Sequence, residues 1–156
     1  MKKLLLIALS FVFIGLLGGC YGQEFGGYSS EDFELLEHWN DIYDVGTEEP
    51  VLVYIYDRDF LGTYNVGSRE ANEHVFPFGA ENELGLELYL INQRDAQGTR
   101  PIDMDIHPRN PTQLLLVYDG RTERSEEGAT HVINFIEELE EGDYTPPGME
   151  EEQDSE

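Results

Sequence analysis

The sequence predicts one α/β domain with a central mixed β-sheet, folded over residues 30 to 142. Three patterns lead to this prediction. Residues 51 to 56 are an unbroken run of aliphatic and aromatic side chains, which is typical of a strand buried on both faces. Residues 112 to 118 form a second, largely apolar run, and residues 130 to 141 carry apolar side chains at helical spacing. Such strands between helices indicate the α/β class.

The first half of the domain is predicted to hold two helices around the first strand. Ser29 or Ser30 can cap a helix that continues to about Asp44, because apolar residues recur there at helical spacing. After the strand, a short helix is expected over residues 68 to 75. We expect it to end before Pro77, because proline removes a helical hydrogen bond.

The second half is predicted to contain three strands and a closing helix. Residues 86 to 91 form the second strand, ahead of the third strand described above. Asp119-Gly120 then predicts a tight hairpin turn, since glycine tolerates a positive φ, and residues 121 to 125 return as a charged edge strand. Gly142 is expected to end the last helix.

The first 19 residues predict a lipoprotein signal peptide. Lys2 and Lys3 precede an apolar stretch that is shorter than the ~20 residues a spanning helix needs. Leu17-Gly18-Gly19-Cys20 then resembles a bacterial lipobox, in which the cysteine is lipidated, for instance with palmitate, and becomes the new N-terminus. We therefore expect the mature protein to be extracytoplasmic and lipid-anchored to a bacterial membrane, on the periplasmic face or the cell surface. The alternative is an ordinary signal peptide that ends at a chance cysteine.

Both flanks of the domain are predicted to lack fixed structure. Residues 20 to 29 are the lipidated cysteine and a tether rich in Gly, Ser and Tyr, a composition typical of flexible linkers. Residues 143 to 156 combine prolines with a nearly continuous acidic run, and such a segment has too little apolar surface to fold. We expect it to be a disordered acidic tail.

The net charge excludes one class of partner and indicates an environment. Cleavage before Cys20 removes both lysines, so that seven arginines face 33 acidic residues and the formal charge changes from −24 to −26. This balance argues against nucleic acid, whose phosphates need Lys and Arg. It favours a halophilic protein, because molar salt shortens the range of the repulsion between like charges to ~3 Å. The alternative is an acidic surface that binds calcium or a basic partner. We expect the melting temperature to rise with NaCl; a value constant from low to molar NaCl would contradict this interpretation.

Two segments resemble the thioredoxin-like family. Residues 50 to 56 resemble its central strand, which leads into the active-site loop, and residues 110 to 121 resemble its proline–strand–hairpin element. The resemblance implies a three-layer α/β/α sandwich over residues 30 to 142. In that family the proline is cis and faces the active site, so the resemblance places Pro111 there.

The resemblance also implies the loss of the family's redox chemistry. An ungapped count from the first strand puts residues 60 to 63 where the family has Cys-x-x-Cys, and the chain has no cysteine after Cys20. Thiol–disulfide exchange needs a thiolate, so that activity is excluded and no cofactor is implied. The expected function is a binding or scaffold module for an unknown protein or peptide. Its predicted binding residues are Asp59, Phe60, Leu61, Gly62, Thr63 and Pro111.

A metal-dependent enzyme or metal-binding module is an alternative interpretation. Asp103, Asp105 and His107 alternate, so an extended strand would direct all three to one face, with Asp57 or Asp59 as further ligands. In a chain with 33 acidic residues the same pattern also arises in solvated acidic loops. A third interpretation drops the family resemblance in favour of an unrelated small α/β domain.

Overall fold

The protein folds as an α/β domain with one five-stranded mixed sheet and two α-helices, as the sequence predicts. The computed structural model describes residues 23–59, 61–107 and 110–149, so the predicted signal peptide and Cys20 lie outside the described residues. The strands are β1 (Glu34–Leu35), β2 (Val51–Tyr56), β3 (Leu88–Asn92), β4 (Gln113–Tyr118) and β5 (Arg121–Glu127). The helices are α1 (Val66–Glu81) and α2 (Ala129–Glu141). No helix in the described part of the chain is long and apolar enough to cross a membrane.

The strands lie in the order β1-β3-β2-β4-β5. The first three along the chain are parallel, β4 runs antiparallel to β2, and β5 runs antiparallel to β4. Val53 therefore lies between Tyr89 of β3 and Leu115 of β4. All six residues of β2 are buried, which confirms the expected two-sided burial of that strand.

The predicted hairpin joins β4 and β5. Asp119 and Gly120 have φ values of 52° and 70°, so both central residues adopt the positive φ of a tight hairpin turn. A bulge between Leu116 and Val117 shifts the register on the way into the turn. The edge strand is longer than expected and ends at Glu127.

Both faces of the sheet are covered, by different kinds of structure. Leu52 and Tyr54 of β2 face the two helices, where Phe76 and Phe135 are fully buried. The alternate residues of β2 face a second cluster, formed by irregular segments. Its members outside the sheet include Trp39, Ile42 and Met104. One layer is therefore helical, and the other consists of a 3₁₀ turn and a loop.

The prediction of a helix from Ser29 or Ser30 to Asp44 is wrong. The segment forms two 3₁₀ turns, Ser30–Asp32 and Trp39–Asp44, on either side of β1. A capping box between Ser29 and Asp32 begins the first turn, and the chain then pairs with β3, with the Leu36 amide donating to the Leu90 carbonyl at 2.8 Å. The helical spacing of the apolar residues reflects contacts with the sheet, which override local propensity.

Helix α1 is longer than predicted and continues through Pro77 to Glu81. Proline removes one backbone donor, and the packing of the helix on the sheet outweighs that cost. A β-carbon at Gly79 would lie 2.3 Å from Cδ2 of Leu88, so glycine lets the helix approach β3 closely.

The flanks are more ordered than the sequence predicts. Phe25, inside the expected tether, is 4% exposed and packs edge-on against Phe76. In the expected tail, Pro146 is buried and the Tyr144 ring lies edge-on to Phe135 at 5.4 Å. The prediction of disorder is therefore wrong for residues 143 to 149, and residues 150 to 156 lie outside the described residues.

Candidate binding site

The candidate site lies at the carboxyl ends of β2 and β3. Because these strands are parallel, the segments that follow them, residues 57 to 65 and 93 to 95, meet at one edge of the sheet, next to Asn92 at the end of β3. The antiparallel strand β4 begins at the same edge, after Pro111 and Thr112. In open α/β sheets this edge is where ligands bind. A cleft of about 530 Å³ opens here, with lining residues that include Ser30, Phe33, Tyr56, Arg58, Asn92 and Asp95.

Arg58 joins three parts of the cleft. Its Nη1 donates to the Ser30 hydroxyl at 2.9 Å, and its guanidinium carbon lies 5.4 Å from the centre of the Tyr64 ring. Its backbone amide donates to Asn92 Oδ1 at 3.2 Å, and Asn92 Nδ2 donates back to its carbonyl at 2.9 Å. The only arginine among the cleft's lining residues is therefore held in place by the chain on both sides. Beside it, burial raises the pKa of Tyr56 to about 12, so this hydroxyl stays protonated at neutral pH.

Asp59 organises the predicted binding loop. Its Oδ1 accepts hydrogen bonds from the amides of Leu61 and Thr63, both at 2.9 Å, and closes a tight turn. Gly62 has φ 83°, and a β-carbon there would lie 3.2 Å from the Arg58 guanidinium. The turn leaves the Leu61 side chain 75% exposed. Phe60, which was also predicted for this site, lies outside the described residues.

Asp57 forms an ion pair with Arg94 across the ends of the two parallel strands. Arg94 Nη2 donates to Asp57 Oδ2 at 3.1 Å, and its Nε donates to the other carboxylate oxygen. The guanidinium lowers the pKa of the Asp57 carboxyl, with a further contribution from Asn65. The carboxylate proposed as a metal ligand is thus neutralised by a cation of the same chain.

The start of α1 supplies the most buried polar contacts of the site. Asn65 Oδ1 caps the helix by accepting from the Ser68 amide at 2.8 Å. The fully buried Ser68 hydroxyl accepts from the Asp57 amide at 3.0 Å, and lies 3.0 Å from Thr112 Oγ1 and 3.3 Å from the Pro111 carbonyl. Sequence reasoning missed both residues. The available signal was Asn65 itself, because Asn is one of the favoured N-cap residues at a helix start.

Pro111 lies at this junction, but its peptide bond is trans. All peptide bonds between described residues are trans, so the cis isomer implied by the resemblance is wrong. The neighbouring backbone is fixed in this form: the Thr112 amide donates to Asn110 Oδ1 at 3.1 Å, and the Thr112 carbonyl accepts from Gly128 at 2.8 Å. Trans is also the intrinsically preferred isomer before proline.

The predicted metal ligands do not form an extended strand. Residues 102 to 105 form a turn in which Asp105 has φ 53°, so the alternation of side chains does not apply. Asp103 accepts a hydrogen bond from the Tyr43 hydroxyl, and His107 Nδ1 lies 3.7 Å from Glu127. Among residues 23–59, 61–107 and 110–149, no three His, Cys, Asp or Glu side chains are arranged to hold a metal ion.

Comparison with known proteins adds no assignment. No family model matches the sequence, and no curated protein matches it significantly.

Proposed function

We propose that the chain is a membrane-anchored, extracytoplasmic lipoprotein whose domain is thioredoxin-like, redox-inactive and serves as a binding module. The strand order β1-β3-β2-β4-β5, with β4 and β5 antiparallel to their neighbours, supports the resemblance noted in the sequence. The lipobox at Cys20 supports the anchor.

The observation that carries this proposal is the position of Asn65 and Ser68. A Cys-x-x-Cys pair is reactive where a helix N-terminus lowers a thiol pKa, and the first helix after β2 begins at Val66. The positions with that spacing at the helix start are Asn65 and Ser68, which carry an amide and a hydroxyl. The ungapped count placed the motif at residues 60 to 63, in the loop ahead of the helix.

These two side chains maintain structure where a dithiol would react. Asn65 caps the helix, and Ser68 joins the end of β2 to the start of β4. What remains available to a partner is the adjacent cleft, which Arg58 and Gly62 line, together with the exposed side chain of Leu61 next to Gly62. The proposed function is therefore recognition of a protein or peptide at this edge of the sheet.

Restoring the thiols tests the thioredoxin-like arrangement. Residues three apart in a first helical turn have Cβ atoms about 5–6 Å apart, so a shift of about 1–2 Å at the helix start brings them within the ~3.5–4.5 Å of a disulfide. Asn65→Cys combined with Ser68→Cys should give a dithiol that oxidises readily and reduces insulin disulfides in the presence of dithiothreitol. Phe60→Cys combined with Thr63→Cys is the matched control and should be much slower. Equal rates for the two pairs would contradict the assignment.

Site-specific crosslinking tests the binding function. A photoreactive residue at Leu61 should capture a distinct membrane-associated protein in the native host. The same residue at Ile102, which is 97% exposed and lies outside the cleft, is the control. Capture of the same proteins with equal yield at both positions would argue against recognition at the cleft. Mass spectrometry of wild type and Cys20→Ser tests the anchor separately, since the variant should lose its lipid.

A further inference from the structure

A second cleft lies at the carboxyl ends of helices α1 and α2. Its volume is about 490 Å³, and residues from the last turns of both helices line it. Helix α1 begins at the candidate site, and its 16 residues span about 24 Å, so this cleft lies at the other end of that helix. It is therefore a surface separate from the candidate site.

The cleft has an apolar floor and an acidic rim. Phe78 and Leu139, which form part of the floor, are 3% and 2% exposed, and Leu84 packs against the same core cluster. The rim consists of four exposed glutamates: Glu81, Glu83, Glu140 and Glu141. No Lys, Arg or His is among the described residues that line the cleft.

The rim carboxylates are not neutralised within the described part of the chain. Elsewhere arginines pair with carboxylates, as Arg124 does with Glu138 at 2.6 Å. None of the ion pairs between described residues includes a rim glutamate. Glu81 accepts a hydrogen bond from the Tyr28 hydroxyl, and this bond raises the pKa of Tyr28, so the donor is neutral. The negative charges of the rim therefore have no positive partner among the described residues.

The helix ends add negative charge to the rim. Backbone dipoles give a helix a partial negative charge at its carboxyl end, where lysine or arginine stabilises the helix and a carboxylate does the opposite. Neither α1 nor α2 has a basic residue in its last turn, and α2 ends in Glu140 and Glu141. A cation bound in the cleft would therefore relieve an unfavourable arrangement of charge at both helix ends.

We infer that this cleft binds a peptide segment of a partner protein in which lysine or arginine stands next to apolar residues. The aliphatic stem of such a side chain can lie on the apolar floor while its charged end reaches the rim. The neighbouring apolar residues of the segment then bury more of the floor. The volume of the cleft is within the ~300–1,000 Å³ that is typical of ligand sites.

Charge complementarity selects this occupant over two others. A second copy of the chain also has 33 acidic residues against nine basic ones, so two copies repel each other. Calcium needs several oxygen ligands around one point, and no three His, Cys, Asp or Glu side chains of the described residues are arranged to hold a metal ion. A cationic segment needs no such convergence, because it can contact the rim glutamates one at a time.

Peptide binding to the full chain tests this inference. The probe is a fluorescently labelled peptide with two lysines flanked by leucines, and fluorescence anisotropy gives its affinity. Glu140→Gln combined with Glu141→Gln should weaken binding roughly fivefold or more, because each exposed charge pair adds a modest attraction. Glu70→Gln combined with Glu73→Gln removes the same charge from exposed positions of α1 and is the matched control. These positions lie about 12 Å or more along the helix from Glu81, beyond the ~8 Å screening length at about 0.15 M NaCl, so binding should stay within about twofold of wild type. Equal weakening by both pairs would overturn the assignment, since it would mean attraction to the whole acidic surface.

Further measurements test the floor, the helix ends and the other occupants. A peptide with glycines in place of the leucines should bind roughly fivefold more weakly, and equal affinity would overturn the role of the apolar floor. Without peptide, Glu140→Gln with Glu141→Gln should raise the melting temperature, and a lower value would contradict the argument from the helix ends. Stoichiometric calcium binding, or a dimer in sedimentation, that this variant abolishes would assign the cleft to a metal or to a second copy and overturn the peptide.

Discussion

Helices α1 and α2 lie side by side on the same face of the sheet, yet they bury different chemistry. The inward side chains of α2 are all apolar: Val132, Phe135, Ile136 and Leu139. Helix α1 buries Ser68 and Asn72 among its apolar residues, and it contains Pro77. The difference shows that α2 contributes only apolar contacts to the core. Helix α1, which begins at the candidate site, also places polar side chains in the core.

The buried polar groups of α1 are not equally satisfied. The Ser68 hydroxyl has three partners, as described above. Asn72 is 0% exposed, and neither its amide oxygen nor its amide nitrogen has a hydrogen-bond partner in the described structure. A buried polar group without a hydrogen-bond partner lowers the free energy of unfolding by about 1–3 kcal/mol, so α1 contains a destabilising group of a kind that α2 lacks.

Helix α2 is also braced from the sheet edge. The Arg124 guanidinium carbon of β5 lies 4.1 Å from the centre of the Phe135 ring and 4.9 Å from that of Tyr144, and its Nη1 donates to Glu138 at 2.6 Å. Arg124 therefore connects β5, α2 and the segment after α2. This brace explains why residues 143 to 149 are ordered despite their composition.

The largest expected effect is on α2. Phe135→Ala should lower the free energy of unfolding by about 3–5 kcal/mol, because it leaves a cavity and removes the ring between Arg124 and Tyr144. Urea denaturation monitored by circular dichroism measures this value. His131→Ala, an exposed position of the same helix, is the control and should change stability by less than about 0.5 kcal/mol. A loss below about 1 kcal/mol at Phe135 would contradict the stabilising role of α2.

The next effect concerns the satisfied polar group of α1. Ser68→Ala should cost about 1–3 kcal/mol, because it removes the acceptor of the Asp57 amide and a partner of Thr112. Urea denaturation again gives the value, with the exposed Glu70→Ala in the same helix as control. If both variants have wild-type stability, Ser68 does not hold the junction together.

Asn72 should behave in the opposite way. Asn72→Leu, of similar size, removes the unsatisfied amide, so we expect stability equal to wild type or higher by about 1 kcal/mol. The melting temperature and the urea midpoint measure the change. A loss of more than about 1 kcal/mol would mean that the Asn72 amide has a stabilising partner and does not destabilise α1.

The smallest effect is the pH dependence of the ion pair beside α1. Arg94 holds the pKa of Asp57 below its usual value of 3.8, so the pair stabilises the fold above about pH 3.8 and loses that effect as the pH falls through the lower, folded-state pKa. Because the Arg94 side chain is 55% exposed, solvent screens the ion pair and its contribution to stability is small. Wild type should exceed Asp57→Asn in stability at pH 6, and the difference should shrink towards pH 2.5. A difference independent of pH would contradict the assignment.

Sequence patterns predicted the elements whose pattern is local. The continuous runs of β2 and β4, the Asp119-Gly120 turn and the amphipathic α2 each depend on neighbouring residues, and all four are present. Strand β1 has only two residues and exists through its pairing with β3, which no local pattern shows. The apolar spacing around it was therefore mistaken for a helix.

The site was predicted in part for the same reason. Counting from β2 located the loop around Asp59, because the loop directly follows the strand. The ungapped count pointed to residues 60 to 63, which lie ahead of the start of α1 at Val66, so it did not reach Asn65 and Ser68. The contact of Arg58 with Ser30 joins residues far apart in sequence and depends on the completed fold.

The internal use of arginine has a consequence for proteolysis. After Lys3 the sequence has no lysine, so trypsin can cut the rest of the chain only after arginine, and Arg100 is protected because Pro101 follows it. Arg58, Arg94 and Arg124 are held by hydrogen bonds, ion pairs or aromatic rings, and cleavage beside them requires local opening. The rates at which native protein is cut at these three positions would therefore report how often the site loop, the end of β3 and the α2 brace each come apart.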